Sequence, residues 1–424
     1  MAPEALFARG QMAYSLAFHI VFAAIGIAMP VLMVMAEVAW RRTGRVIHLE
    51  LARRWARGTA VLFAVGAVSG TVLSFELGLL FPRFMEHAGA IIGLPFSLEG
   101  IAFFTEAIFL GLYLYGWDKL GPRVHIACGA VVAVSGTASA VFVIIANAWM
   151  NAPTGFALEG GRMVDIDPIA AMGTPFALHE VLHGVVASFM ATALAVAAIH
   201  AWALLRRPDA PLHRAALAIA LAVAIPATLA QPLIGHMAGQ AVAEHQPLKL
   251  AAMEGLEETT AGAPLSLGPI EIPGLLSYLA LGDADATVRG LEEFPEADHP
   301  HSIVRVAYLL MIGLGSLAAA HATITLLLLW RRRGLPLDRW WLWSVVLLGP
   351  AGMIAMEAGW TVTEVGRQPW TIYGVLRTAD AVTPVTGLWL PFTLFALIYV
   401  GLAAVVIAVL VRQVRQTTDP AEDA

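Results

Sequence analysis

The stretch MEAGWTVTEVGRQPW, residues 356–370, sets Glu357 inside an apolar run and closes that run with Arg367, Gln368, Pro369 and Trp370. A carboxylate in hydrocarbon costs several kcal/mol unless protein, a counter-ion or water faces it. A run that keeps one in its interior is therefore read as the wall of a site. Whether the run spans a membrane is decided by the rest of the chain. Of 424 residues, 59% are hydrophobic and only 13% charged, with a mean hydropathy of +0.75. This composition excludes an ordinary soluble domain and points to a polytopic membrane protein.

Working outward, runs long enough to cross ~30 Å of hydrocarbon fall at 12–39, 58–80, 89–115, 123–146, 179–204, 214–236, 304–330, 340–364 and 386–411. The expected fold is all-α, with nine transmembrane helices in a single domain over 1–424. The first run is too long and too weakly flanked by basic residues for a cleaved leader, so it is expected to be a retained span. Cys128 is the only cysteine, which excludes a disulfide framework and a cysteine-based metal site.

Basic residues set the expected orientation. The connections after the first, third, fifth and seventh runs, with the C-terminal tail and counting Arg123 and Arg214 that open the next runs, hold seventeen of the 25 Lys and Arg residues, among them Arg41, Arg42, Arg53, Arg54 and Arg331–Arg333. These loops are expected to be cytoplasmic, which puts the N-terminus outside and the C-terminus inside. The connection 237–302 carries eleven Asp and Glu against only Lys249 and Arg289. That balance suits an external loop and argues against a nucleic-acid partner. Its central AGAPLSLGPIEIPG is expected to be a partly ordered excursion, not a second domain.

The ionisable residues inside the runs gather at one depth. At ~1.5 Å per helical residue, His19, Glu99, His183, Met311 and Glu357 all fall in the external half, with Glu76 near the outer end of the second run. Imidazole, thioether and carboxylate donors in one layer suit haem iron between helices. His200 and His321, toward the other end, are expected only to hydrogen-bond neighbouring helices. HEVLH, residues 179–183, also fits H-E-x-x-H, in which two histidines hold zinc and the glutamate acts as base. That reading finds no third ligand and leaves His19, Glu99 and Glu357 unexplained.

Several ordered stretches together resemble subunit I of the bd-type quinol oxidases: ARGQMAYSLAFH with Arg9 and His19, LEGIAFFTEAIFLGLYLYGWDKL with Glu99 and Glu106, ANAWMNAPTG, KLAAMEG, and EAGWTVTEVGRQPW. The resemblance covers essentially the whole chain. It implies that His183 and Met311 are the axial pair of haem b558, that His19 ligates haem d (or a third haem b) with Glu99 on the other face, and that Glu357 ligates haem b595. Arg367 and Trp370 are implied at the propionates or the quinol entrance, and Lys249 and Glu254 at the quinol itself. Glu106, almost two turns after Glu99, is expected on the same helix face as part of a proton path. The implied activity is oxidation of quinol at the external face and reduction of dioxygen to water with cytoplasmic protons. Electrons would run from b558 through b595 to the oxygen site. The implied partners are a second polytopic subunit, a small single-span subunit and membrane lipid. Where the family commonly has Arg two residues before the Met ligand, this chain has Leu309, and Arg305 is expected to substitute.

Overall fold

The protein is described by a computed structural model over residues 3–267 and 270–418. The extreme ends of the expected single domain, and Gly268 and Pro269 in the external loop, lie outside the described residues. The helices in chain order are α1 (Pro3–Thr43), α2 (Val46–Leu80), α3 (Pro82–Tyr115), α4 (Pro122–Asn151), α5 (Pro168–Met172), α6 (Ala177–Arg206), α7 (Pro211–His245), α8 (Pro247–Glu254), α9 (Leu275–Leu281), α10 (Ile303–Arg332), α11 (Arg339–Gly366), α12 (Thr378–Ala381) and α13 (Trp389–Thr418). Among the described residues, nine of these are long and apolar enough to cross a membrane: α1 to α4, α6, α7, α10, α11 and α13.

All nine expected spans are found, but the helices outrun them. α2 begins at Val46 instead of 58, and α7 continues to His245 instead of 236. Hydropathy reports only the segment that meets hydrocarbon, whereas backbone hydrogen bonding continues through polar turns beyond it. Where the chain turns sharply, proline opens the next helix: Pro82, Pro122, Pro211 and Pro247 each sit in a first turn, where the missing N–H has no intrahelical partner to lose.

The largest packed cluster lies at one end of the bundle. A large buried cluster joins Leu32, Leu51, Tyr113, Leu204, Leu217 and Trp341 from α1, α2, α3, α6, α7 and α11. These positions lie toward the arginine-rich connections. The opposite end has a second buried cluster around Leu80, Phe84, Ile91, Trp149 and Ile372, and the ionisable side chains His19, Glu99, His183 and Glu357 lie in that half of the bundle.

The 237–302 connection is more ordered than its sequence implies. Two antiparallel ribbons form within it, β3 (Thr260–Ala261) with β6 (Thr287–Val288) and β4 (Leu265–Leu267) with β5 (Ile270–Ile272). Ala243, Leu250, Ala263, Leu276, Ala280 and Val288 form a small core of their own beneath it. Composition alone misses this because half of the burying residues are alanines and the six come from short elements scattered along the connection. The remaining ribbons are β1 (Ala157–Glu159) with β2 (Arg162–Val164), and β7 (Trp370–Ile372) with β8 (Leu376–Arg377).

Candidate functional site

On α1, His19 is held by α2: its Nδ1 lies 2.9 Å from Ser69 Oγ, which leaves Nε2 for a ligand. The two helices touch here because residue 70 is glycine; a Cβ at Gly70 would stand 2.9 Å from His19 Cε1. A second carboxylate site lies on the same pair, where Glu76 accepts from Gln11 at 2.9 Å and Ser15 at 3.1 Å. Arg9 is half-buried near the start of α1.

Glu99 and Glu106 both face α4, as the seven-residue spacing predicts. Ser139 Oγ donates to Glu99 at 3.1 Å, and the carboxyl of buried Glu106 packs against the space left by Gly136. Glu99 thus has a fixed orientation and Glu106 a dry one.

The second group of donors sits between α6, α7, α10 and α11. His183 has its Nδ1 buried with no hydrogen-bond partner, and its ring lies beside Gly235 of α7. Gln231 on the same face donates to the His183 carbonyl at 3.1 Å, which ties α7 to this turn of α6. Across the bundle, Met311 of α10 packs onto α11 where Gly359 lets it in; a Cβ there would lie 3.0 Å from the sulfur. Glu357, two residues before that glycine, has a buried Oε1 without a partner. Arg367 is only 2% exposed; one terminal nitrogen donates to Glu364 at 2.8 Å, while Nε and Nη1 are buried and unpaired.

These atoms test whether haem fits. Open imidazole nitrogens, a thioether at a helix seam, an unpaired carboxylate oxygen and a guanidinium with two idle donors are the complement of an iron macrocycle with acidic side chains. A close-packed interior does not leave such atoms idle without a reason. The residues present fit the group. His200 and His321 behave as expected: His200 pairs with His213 at 2.9 Å and His321 with Ser344 at 2.9 Å.

Over the end of the bundle away from the arginine-rich connections, α8 brings in Lys249 and Glu254, and both are buried, not solvated as a surface helix would have them. Lys249 donates to Asn151 Oδ1 at 2.9 Å, and Gln246 donates to the carbonyl of Asn151 at 2.8 Å. Burial pushes the Lys249 ammonium below its ordinary range, and neighbouring Arg367 pushes the same way, against the pull of Glu180 and Glu364. Burial raises the Glu254 carboxyl, with Tyr308 and Arg305 opposing.

Sequence reading missed the partners that assemble this layer. Glu364 follows Glu357 by seven residues and lies on the same face, so spacing could have found it. Asn147, which hydrogen-bonds Glu364, and Asn151 are a helical i, i+4 pair in ANAWMN. Glu180 looked like the base of a zinc motif; instead it faces Lys249, Arg367 and Glu364. Among the described residues no group of three His, Cys, Asp or Glu could hold a metal ion around it. Arg305 donates to the Glu254 carbonyl at the end of α8, where the left-handed Gly255 leaves room for its guanidinium. Trp370 is stacked under Arg377, whose guanidinium lies 4.5 Å from the ring and also pairs with Asp298 of the external connection at 2.5 Å.

Residues 7–418 match the family described as cytochrome bd terminal oxidase subunit I. The bd oxidase structure from Geobacillus thermodenitrificans superposes with a TM-score of 0.91 at 37% identity, covering 97% of this chain and 98% of that one. A Bacillus subtilis (strain 168) protein, provisionally named as a cytochrome bd menaquinol oxidase subunit I, is 35% identical over 97% of both chains. The cytochrome bd ubiquinol oxidase subunit 1 of the same organism is 30% identical over 97% of this chain and 94% of its own. With nine spanning helices, the donor layer at one end and a match along nearly its full length, the chain belongs to the cytochrome bd terminal oxidase subunit I family.

Proposed function

We propose that the donors described above divide as follows in this catalytic, haem-containing subunit of a membrane quinol oxidase: His183 and Met311 hold haem b558, Glu357 holds b595, and His19 with Glu99 frames the oxygen site. As a subunit I it pairs with a subunit II. The observation that carries the reading is the set of idle buried atoms, His183 Nδ1, Glu357 Oε1 and Arg367 Nε and Nη1, gathered in the half of the bundle away from the arginine-rich connections.

The haems, when bound, supply one-electron carriage and the reduction of dioxygen. What the chain itself does is position and exchange protons. Lys249, buried and fixed on Asn151, presents an ammonium to a quinol oxygen beneath α8. Glu254, the last residue of α8 before the Gly255 N–H caps the helix on the Ala251 carbonyl, offers a carboxylate to accept a quinol proton. Ser69 fixes the His19 imidazole through Nδ1 so that Nε2 faces its ligand, and Arg367 offers its idle donors to an acidic haem side chain. Glu106 and Glu99, on one face of α3, give two stations for protons moving toward the oxygen site. Quinol protons would leave on the side of α8, which the charge asymmetry makes external.

A reduced-minus-oxidised spectrum of the purified oxidase, with haem extraction, tests this. Three haems with a far-red chlorin band are expected for haem d, and only b-type bands would indicate a third haem b at His19. His183→Ala should remove the low-spin b signal and His19→Ala the oxygen-site signal. A preparation without haem would overturn the reading.

A further inference from the structure

Far from the donor layer, on the arginine-rich end, the start of α2 and the start of α7 enclose a cleft of about 440 Å³. Its mouth is polar and its floor is not: Arg45, His48 and Arg214 stand above Ala215, Ala218 and Ile219 on the outer flank of α7. We propose that this cleft binds the headgroup of an anionic glycerophospholipid, with the phosphate at Arg45 and Arg214 and an acyl chain laid along α7.

Three observations carry the assignment. Arg45 is exposed, and its guanidinium has no hydrogen-bond or ion-pair partner among the described residues, so its charge is available. His48, by contrast, is buried at 9% exposure and engages Thr43 only through Nδ1, at 3.2 Å, which leaves its other nitrogen for a ligand oxygen. Arg214 is held in place by the carbonyl of Pro208 at 2.7 Å and by Asp209 at 2.9 Å, a pre-set guanidinium, not a flexible one. Asp209 also lines the cleft, and its negative charge is met by Arg214. Arg54 and Arg207 lie near enough to act on His213 just behind, and Glu50 offsets Arg54. The neighbourhood keeps a net positive charge.

The apolar floor decides between a lipid and a free phosphate ion. Inorganic phosphate would use the arginines alone and gain nothing from Ala215, Ala218 and Ile219. A phospholipid uses both, and basic clefts at the ends of membrane helices commonly take such headgroups.

The test uses the complete oxidase, delipidated in detergent and examined by native mass spectrometry. Dioleoylphosphatidylglycerol, dioleoylphosphatidylcholine and inorganic phosphate are added separately. One retained phosphatidylglycerol is expected, displaced neither by phosphatidylcholine nor by phosphate. Near a membrane surface each basic charge changes lipid affinity about fivefold, so Arg45→Ala should weaken retention by about that factor and Arg45→Glu by about 25-fold. Arg45 touches nothing in the donor layer, so the haem spectrum of both variants should match the parent and establishes that they fold. Equal retention of the two lipids, tight binding of phosphate alone, or unchanged retention in Arg45→Glu would each overturn the proposal.

Discussion

Lys249 and Glu254 read in isolation as a solvated lysine and glutamate on a short helix, and only the resemblance gave them a role. The structure supplies the physical reason for taking them seriously, because both are buried. Burial disfavours the charged form of each, which lowers the lysine and raises the glutamate. The consequence for pH follows in sign. A proton acceptor must be ionised, so turnover should rise with pH through the Glu254 value, which lies above the ordinary glutamate range. A cationic anchor must be protonated, so quinol KM should rise as pH climbs through the Lys249 value, which lies below the ordinary lysine range. Steady-state oxidation of a soluble quinol across pH should therefore give a bell. Glu254→Gln is expected to lower kcat by about 10²–10⁴-fold and to flatten the acid limb. Lys249→Met is expected to raise KM and flatten the alkaline one. Limbs that persist unchanged in both variants would assign the titrations elsewhere.

At the scale of the helix, donors are positioned by what the facing helix lacks. Gly70 admits His19, and Gly359 admits Met311. Gly70→Ala would force a methyl to 2.9 Å from the imidazole, closer than packed atoms tolerate, and the ring must rotate off Ser69. Disturbing such an outer contact typically costs about 10–100-fold in ligand retention, so Gly70→Ala should purify with depleted haem at the oxygen site and an intact low-spin spectrum. Gly359→Ala should do the reverse, with a smaller loss because a thioether bends more easily than a ring moves. Gly78→Ala, on the same helix as Gly70 but facing open space, is the control and should leave both signals unchanged. This scale also shows where sequence reading succeeds and stops. The seven-residue spacing of Glu99 and Glu106 put them on one face of α3, and the structure has both facing α4. Spacing along one helix carries no record of its neighbour, so Ser69, Ser139 and Asn151 were invisible until the helices were packed together. The contact of Arg305 at the end of α8 was hidden for the same reason: it joins residues 51 apart.

For the whole molecule, the most legible property was that it is a bundle of nine spans, because a membrane imposes length and apolarity on each helix independently of every other. The least legible was the 237–302 connection, whose small core draws single residues from short helices and strands that leave little periodic signal. Charge asymmetry adds a statement about sidedness: the connection 237–302 should face outward and the α3–α4 turn inward. The chain suits a direct test because its one natural cysteine, Cys128, is buried and will not react with a bulky polar reagent. Asp285→Cys places a thiol on the exposed surface of the external connection, and Lys119→Cys places one on the exposed α3–α4 turn. In intact cells a membrane-impermeant maleimide should label the first and not the second; after the membrane is opened, both should react. Labelling of Lys119→Cys in intact cells would invert the orientation. It would also place quinol oxidation at Lys249 on the cytoplasmic side, so that its protons are released into the compartment from which dioxygen reduction draws its own. The same two thiols therefore test both the topology and the direction of charge separation.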